Sequence, residues 1–178
     1  MADGRPITKP PVEDIIIKTL KEVGADFVVT LREDPTVGLV DKISKDKYFT
    51  YLEVVNESHG VSITAGAGLA GRKAVFVTGI AGMLVAGWSL AMMNLIHRAP
   101  MVLLVSYRGD VGDLSGIPGE FLYVFGMVAE PYLRALSLVP YRIVGDKKKL
   151  KSSIEGAFNT AIEHKMPVVL LLTDEVLW

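Results

Sequence analysis

A glutamate followed by a run of small residues is the feature of this sequence best suited to chemistry. Glu57 comes directly after a predicted strand and starts a predicted helix, ESHGVSITAGAGLAG, that is rich in glycine and alanine. Another chain or a ligand could approach such a helix closely, and a carboxylate at its rim could exchange a proton with a bound molecule. A second interpretation stays open, because acidic residues are common in the first helical turn, where the helix dipole stabilises them by about 0.3–1 kcal/mol.

The glycines of this segment, Gly66, Gly68 and Gly71, match the dinucleotide-binding pattern G-x-G-x-x-G by letter. That pattern binds a pyrophosphate only where it follows a strand and opens a helix, because the N–H groups at the helix N-terminus must face the phosphates. Here the glycines end a helix, and the β-branched residues 74–78 follow them. The order of elements therefore disfavours a stand-alone NAD-binding domain.

Other familiar catalytic patterns do not occur in the sequence. The histidines, His59, His97 and His164, fall in different predicted elements without metal-ligand spacing, so we predict no metal site formed by this chain. Cysteine is absent, and there is no G-x-x-x-x-G-K-[ST] phosphate loop and no G-x-S-x-G nucleophile elbow. These absences disfavour nucleotide hydrolysis and chemistry based on a thiol or serine nucleophile.

The segments that must position Glu57 alternate between strand and helix patterns. Runs of Val, Ile, Leu and Phe predict six strands, at residues 27–30, 49–54, 74–78, 101–106, 141–144 and 167–173. Apolar residues spaced by three and four predict helices over residues 12–23, 35–44, 56–71, 82–97 and 130–138, and a last helix from residue 146 onward. Such alternation predicts a parallel sheet with helices on both faces, a three-layer α/β/α fold, in which ligands bind at the carboxyl ends of the strands.

Length and composition bound the architecture. The 178 residues fit a single domain, for which we predict the range 1–178 with a flexible N-terminal arm over residues 1–11. Half of the residues are hydrophobic and 22% are charged, a balance typical of proteins with large buried surfaces, including subunit interfaces. The net charge of −1 gives no general attraction to nucleic acid or to an anionic membrane.

The sequence also bears on the compartment. Residues 75–96 carry no charge and have the length of a membrane span, but their β-branched start and internal glycines favour a buried strand followed by a buried helix. The N-terminus lacks the apolar core of a signal peptide, and the chain has no cysteine for disulfides. We therefore expect a cytoplasmic location.

Four stretches of the sequence resemble a known family. They read ESHGVSITAGAGLAG, KAVFV, HRAPMVLLVSYRG and GMVAEPYLRALSLVPYRIV. Together they resemble the pyrimidine-binding domain of thiamine-diphosphate-dependent decarboxylases, in particular the sulfopyruvate decarboxylase alpha subunit and the N-terminal part of phosphonopyruvate decarboxylase. The resemblance covers nearly the whole chain and implies the thiamine-diphosphate-binding fold, with a six-stranded parallel sheet.

The resemblance implies roles for particular residues. In that family, the glutamate matching Glu57 hydrogen-bonds N1′ of the aminopyrimidine and so activates the thiazolium ring, which accepts electrons when a 2-oxo acid loses carbon dioxide. Glu57 is thus the expected catalytic residue. Cofactor contacts are expected from Glu57 and from residues at strand ends, namely Thr30, Thr78, Gly79 and Ile80.

Substrate contacts are expected from His59, Tyr107 and Arg108. His59 lies near the predicted edge where the strands end, and Tyr107 and Arg108 directly follow the fourth strand. Arg108 could meet an anionic group of the substrate, and a surface ion pair is the other interpretation.

The same resemblance implies a partner chain. In the family, the diphosphate and its Mg²⁺ are held by a second domain that carries a G-D-G motif, and this sequence contains no G-D-G. We therefore expect one half of a hetero-oligomeric site, completed by a beta subunit, that decarboxylates a sulfopyruvate- or phosphonopyruvate-like 2-oxo acid to an aldehyde. The interface is expected on the helix starting at Glu57 and on the predicted helix 82–97, including Met83, Trp88, Met92 and Met93.

Other activities stay open within the resemblance. The family usually has proline and a small hydroxyl or thiol residue after the first strand, where this chain reads TLREDPT, and amide side chains after the third, where residues 79–84 are Gly, Ile, Ala, Gly, Met and Leu. The apolar segment is compatible with carboligation or with cleavage of a less polar ketone by the same cofactor. A non-catalytic regulatory subunit of the same fold is the remaining alternative.

Overall fold

Six parallel strands form the centre of the protein, seen in a computed structural model that describes residues 10–109, 119–138 and 141–177. The strands are β1 (Ala25–Thr30), β2 (Thr50–Glu53), β3 (Lys73–Gly79), β4 (Met101–Ser106), β5 (Tyr141–Val144) and β6 (Pro167–Leu172). They lie in the order β2-β1-β3-β4-β6-β5, and every neighbouring pair is parallel. The predicted six-stranded parallel sheet is confirmed.

Burial explains why these strands could be predicted from the sequence. Every residue of β4 and β6 is buried, as expected for central strands covered by helices on both faces. Their ends differ from the predicted ones by at most one residue, because a continuous run of Val, Leu and Met has a clear start and stop. The edge strand β2 is shorter than predicted and largely exposed.

Helices cover both faces of the sheet. Their bounds are α1 (Pro10–Glu22), α2 (Val37–Lys45), α3 (Glu57–Leu69), α4 (Ile80–Val85), α5 (Gly87–Leu95), α6 (Gly119–Ala135), α7 (Lys147–His164) and α8 (Asp174–Leu177). One apolar core contains side chains of α1, α2, α7 and α8, and a second core contains side chains of α3 to α6. The sheet separates the two cores, so the three-layer α/β/α prediction is confirmed. In the described part of the chain, no helix is both long enough and apolar enough to span a membrane.

The N-terminal predictions need two corrections. Helix α1 begins at Pro10, two residues before the predicted helix start at residue 12, and residues 1–9 lie outside the described part of the chain. After β1, a 3-10 turn over Asp34–Thr36 precedes α2, so the predicted start of the helix 35–44 falls inside this turn. Proline at the second position of the turn suits its tight geometry, which delays the α-helix until Val37.

The predicted helix 82–97 is wrong at its start and in its continuity. Helix α4 begins at Ile80, directly after β3, and the chain breaks at Ala86 before α5 starts. The Tyr132 hydroxyl donates to the Leu84 carbonyl at 3.1 Å and fills the space that a side chain at Gly87 would need. Met83, expected at a subunit interface, is fully buried in the core because it lies on the sheet-facing side of α4.

Two helices near the C-terminal end also differ from prediction. Helix α6 begins at Gly119, well before the predicted start at Glu130, and Pro131 lies inside it. Proline removes a hydrogen bond to the carbonyl four residues earlier, here that of Met127. Helix α7 begins at Lys147, one residue after the predicted start, and its apolar residue Ile162 is 46% exposed.

Helix α3 packs closely against the backbone that leads into β4, and at Gly68 no space is left for a side chain. A methyl group added at Gly68 would overlap the backbone carbonyl oxygen of Pro100, the residue that leads into β4, whereas one added at Gly66 would meet nothing within 4 Å. This contact fixes the depth at which α3 packs, and Glu57 is the first residue of that helix.

Gly68→Ala should lower the free energy of unfolding by about 1–3 kcal/mol, because a backbone oxygen cannot move aside as a flexible side chain can. Gly66→Ala is the matched control on the same helix and should leave stability unchanged or raise it by up to about 1 kcal/mol. Denaturant unfolding of the purified chain measures both. Equal stability of the two variants would contradict the packing described for α3.

Candidate active site

The candidate site lies at the carboxyl ends of β1 and β3. From β1 the chain runs to β2 on one side, and from β2 it returns to β3 on the other side of β1. The direction of strand order reverses there, which opens a crevice at which parallel α/β sheets bind ligands. The paired residues Gly79 of β3 and Ser106 of β4 lie at this edge, beside Thr30 of β1.

Glu57 reaches this edge from the start of α3. The Asn56 side chain caps the helix by accepting a hydrogen bond from the Ser58 N–H at 2.9 Å, and this fixes where the helix begins. The Glu57 side chain is half-buried and lies against Gly82 of α4, where an added Cβ would be 2.7 Å from its Cγ and 2.9 Å from Oε1. No hydrogen bond or ion pair within the described residues engages its carboxylate. Glu57 is thus positioned by packing and keeps its oxygens available.

A second carboxylate, that of Glu33, occupies the same edge. Glu33 follows β1, and its side chain lies so close to Gly79 that any Cβ at that position would overlap the carboxylate. The Ser106 hydroxyl donates a hydrogen bond to Glu33 Oε1. Glu33 therefore bridges the ends of β1, β3 and β4.

Burial raises the pKa of the Glu33 carboxyl to about 7, because removal from water disfavours the charged form. The hydrogen bond from Ser106 and the positive charge of Arg108 oppose the rise, and the nearby charge of Asp34 adds to it. A carboxyl group with this pKa carries a proton during a substantial part of the time at neutral pH, whereas an ordinary glutamate does not.

The raised pKa predicts a pH-dependent stability. Between pH 4.5, the ordinary pKa of glutamate, and about 7, the native carboxyl keeps a proton that the unfolded one loses. The native state then binds more protons, so its free energy of unfolding falls as the pH rises through this window. Glu33→Gln should abolish this decrease in the free energy of unfolding between pH 4.5 and about 7. The variant should therefore gain stability relative to the wild type between about pH 5 and about pH 8, by up to about 3 kcal/mol. Denaturant unfolding at both pH values checks this.

The control is Glu163→Gln, which removes an exposed carboxylate near the end of α7. This variant should follow the pH dependence of the wild type. The same pH dependence of stability in Glu33→Gln and in the wild type would contradict the raised pKa of Glu33.

Arg108 brings positive charge to the same edge. Its Nε is buried and has no hydrogen-bond partner among the described residues. A buried guanidinium N–H without an acceptor costs free energy, and an anionic ligand would satisfy it. The positive charge of Arg108 acts to lower the pKa of Glu33, so the two side chains are close enough to interact electrostatically.

The remaining predicted site residues take different positions. Thr30 is buried and its hydroxyl donates to the Val77 carbonyl at 2.9 Å, which ties β1 to β3. Thr78 is buried with its Oγ1 beside Gly82, 2.5 Å from where a Cβ would lie, and Ile80 is buried in the core. The Tyr107 hydroxyl donates to the Gly126 carbonyl of α6 at 3.5 Å, and His59 is exposed on α3.

Local sequence patterns do not predict Glu33 and Ser106 as site residues. Their meeting depends on the register of β3 with β4 and on the 3-10 turn after β1, neither of which can be read from local patterns. One signal was present, since the segment TLREDPT places acidic residues directly after a buried strand.

Comparison with known proteins identifies the family. Residues 11–114, more than half of the chain, match the model of the thiamine pyrophosphate enzyme N-terminal TPP binding domain. The chain belongs to this family. The family predicted from the four sequence stretches is thereby confirmed, and the glycines of α3 belong to a TPP-binding domain rather than to a dinucleotide fingerprint.

Two curated relatives match over most of their length. The sulfopyruvate decarboxylase subunit alpha of Methanothermobacter thermautotrophicus is 24% identical over 156 residues, 86% of this chain and 90% of the relative. The subunit of the same name from Methanocaldococcus jannaschii is 27% identical over 163 residues, 92% of this chain and 93% of the relative. Each relative therefore has nearly the same length as the matched region of this chain.

A solved structure supports the fold. Benzoylformate decarboxylase from Polynucleobacter necessarius superimposes with a TM-score of 0.72 at 18% identity, over 91% of this chain. The chain spans only 29% of that larger protein. At this identity the likeness shows a shared fold.

The residues at the edge suit a family cofactor. A thiamine pyrimidine needs a carboxylate with an available oxygen and a close approach of backbone, and Glu57 beside Gly82 offers both. The described residues contain no cluster of His, Asp and Glu side chains that could hold a metal ion. The groups present therefore fit the pyrimidine end of the cofactor.

Proposed function

We propose that this chain is the pyrimidine-binding subunit of a thiamine-diphosphate-dependent decarboxylase that converts a 2-oxo acid to an aldehyde and carbon dioxide. Thiamine diphosphate, when bound, supplies the electron sink for cleavage of the bond between the carbonyl carbon and the carboxylate. Glu57 would hold the aminopyrimidine by accepting a hydrogen bond from its ring nitrogen. A partner chain would hold the diphosphate and Mg²⁺.

The position of Glu57 carries this proposal. The residue stands at the crevice between β1 and β3, on a capped helix, with its carboxylate unpaired within the described residues. A half-buried carboxylate without a partner is costly unless a ligand donates to it. The names of the two curated relatives, which match along most of this chain, support decarboxylation as the reaction.

Arg108 supports a substrate with more than one anionic group. The buried Nε lacks an acceptor in the described part of the chain, and a sulfonate or phosphonate oxygen would provide one. A 2-oxo acid such as sulfopyruvate carries a carboxylate and a sulfonate. The guanidinium would recognise the second of these groups.

The apolar residues after β3 do not argue for a less polar substrate. Ile80 and Met83 point into the core between α4 and the sheet, and both are almost fully buried. Because their side chains pack inside the protein, they do not set the polarity of the crevice. Carboligation by the same cofactor stays an alternative without a specific observation in its favour.

Exposed apolar side chains support a partner chain. On α5, Trp88 is 76% exposed, and Leu95 is also exposed, while α6 exposes Tyr123 and Met127. The turn that follows α6 contacts α5, since the Asn94 side chain donates to the Ser137 carbonyl at 3.0 Å. Clustered exposed aromatic and aliphatic residues are typical of a protein interface.

Native mass spectrometry tests the assembly and the cofactor together. The protein is recovered gently from its own cells, the complex is weighed, and released small molecules are identified. We expect a second chain and thiamine diphosphate in the same complex. The complex should then release carbon dioxide from sulfopyruvate or phosphonopyruvate. A homo-oligomer that contains no thiamine diphosphate and releases no carbon dioxide from any 2-oxo acid would contradict the proposal.

A further inference from the structure

We infer that Glu33 is a second catalytic carboxyl group of this site, one that gives a proton to the substrate, and that Ser106 is its positioning residue. This inference rests on the proposed function. It assigns a role to a residue for which neither the sequence patterns nor the names of the relatives provide one. Its starting point is the place of Glu33 at the ends of three adjacent strands.

The chemistry of the reaction requires a proton donor. A 2-oxo acid anion and one proton yield an aldehyde and carbon dioxide. The bond between the carbonyl carbon and the carboxylate breaks, and its electron pair ends in the new C–H bond of the aldehyde. The O–H bond of the donor breaks in the same overall change, and the donor then recovers a proton from water. Such a donor must hold a proton near neutral pH and face the substrate.

Other groups at this edge are unsuited to that task. Glu57 is assigned to the cofactor, and a guanidinium such as that of Arg108 binds anions rather than donating a proton to carbon. The Tyr107 hydroxyl donates to the backbone of α6. His59 is exposed on α3, where water can reach it freely. Among the described residues of the edge, Glu33 is the titratable group whose environment favours a retained proton.

The surroundings of Glu33 are built for a carboxyl group. Gly79 leaves the space that its oxygens occupy, since a side chain there would overlap them. The Ser106 hydroxyl, itself buried, donates to Oε1 and fixes the orientation of the carboxyl plane. Glu33 as a whole is only partly buried, although its carboxyl group is largely removed from water.

The charges that face Glu33 come from several elements. Arg108 after β4 favours the charged carboxylate, and Asp34 in the following turn disfavours it. Arg32, the preceding residue, is directed away, because its guanidinium pairs with Asp41 of α2 and with Glu53 of β2 at 3.0 Å. Burial outweighs these effects and raises the pKa to about 7, which supports the geometric argument.

The test compares Glu33→Gln, Ser106→Ala and the wild type as assembled complexes with the partner chain, with sulfopyruvate as the probe. Glu33→Gln should lower kcat by about 10²–10⁴-fold, with unchanged KM and an unchanged content of bound thiamine diphosphate. The wild-type kcat should fall as the pH rises above about 7, and the variant should lack this alkaline limb. Ser106→Ala should move the limb to higher pH, because it removes a donor that favours the carboxylate.

An independent readout is isotope-edited infrared spectroscopy of complexes labelled with ¹³C-glutamate. A protonated carboxyl signal should titrate near pH 7 in the wild type and be absent from Glu33→Gln. Asp34→Asn, the neighbouring and exposed acid, is the matched control and should retain the wild-type kcat. A small shift of its alkaline limb to lower pH is expected, because a negative charge is removed.

The possible failures can be told apart. A wild-type complex that turns over no 2-oxo acid overturns the proposed function and this inference with it. If the wild type is active, then wild-type kcat and pH profile in Glu33→Gln overturn the inference alone. So does an infrared titration that shows Glu33 ionised at the pH of maximal turnover.

Discussion

Glu57→Gln is expected to reduce turnover of the assembled enzyme by about 10²–10⁴-fold, the range typical of a lost proton-transfer group. Glutamine keeps the size of the side chain and its contact with Gly82, but it cannot stabilise a positive charge or share a proton as a carboxylate does. The carboxylate lacks a partner within the described residues, so its removal should leave no group of the protein unpaired. Assembly with the partner chain should therefore be unaffected.

Steady-state decarboxylation and native mass spectrometry of the same preparation measure the two effects of Glu57→Gln separately. Glu163→Gln, on the exposed surface of α7, is the matched control for loss of a glutamate charge. It should retain the wild-type rate. Wild-type turnover in Glu57→Gln, with a full content of thiamine diphosphate, would exclude Glu57 as the cofactor-activating residue.

The strands and the position of Glu57 could be predicted because their signals are local. Central strands covered on both faces are continuous apolar runs, as in β4 and β6. Asn56 has the side chain of an N-cap at the point where the helical pattern starts, so Glu57 had to begin a helix after a strand. Parallel strands then bring such residues to one edge.

The helices on the second face were harder to predict, because distant residues decide their ends. The break between α4 and α5 coincides with the Tyr132 hydroxyl, 48 residues along the chain from the Leu84 carbonyl to which it donates. Helix α6 continues through Pro131, where a local rule predicts a start. In both cases tertiary packing overrides the local preference.

The second carboxylate shows what sequence patterns leave out of a site. Glu33 and Ser106 are separated by 73 positions, and only the strand register places them together. Two glycines, Gly79 and Gly82, then admit one carboxylate each, Glu33 and Glu57. In the sequence, the glycines at the end of β3 and in α4 look like a loss of polar contacts. In the structure they make room for carboxylates from two other elements.

Gly82→Ala should therefore lower turnover by about 10²-fold, because a displacement of a catalytic group by about 1 Å has an effect of this size. The new Cβ would lie 2.5 Å from Thr78 Oγ1 and 2.7 Å from Glu57 Cγ, distances that no real Cβ tolerates. Thr78 is buried and has little room to move, so the variant should also lose some stability, whereas the half-buried Glu57 side chain can rotate away. Gly156→Ala, with open space around it on α7, should keep full activity.

A double variant decides whether Gly82 acts through Glu57. If the only effect of Gly82→Ala is to displace the Glu57 carboxylate, then adding it to Glu57→Gln should change kcat by less than about 3-fold, because the function that it disturbs is already lost. Two losses that multiply would show that Gly82 contributes separately, for example by admitting the cofactor itself. The close contact between the two residues predicts the first result, in which the glycine matters because it leaves the carboxylate its place.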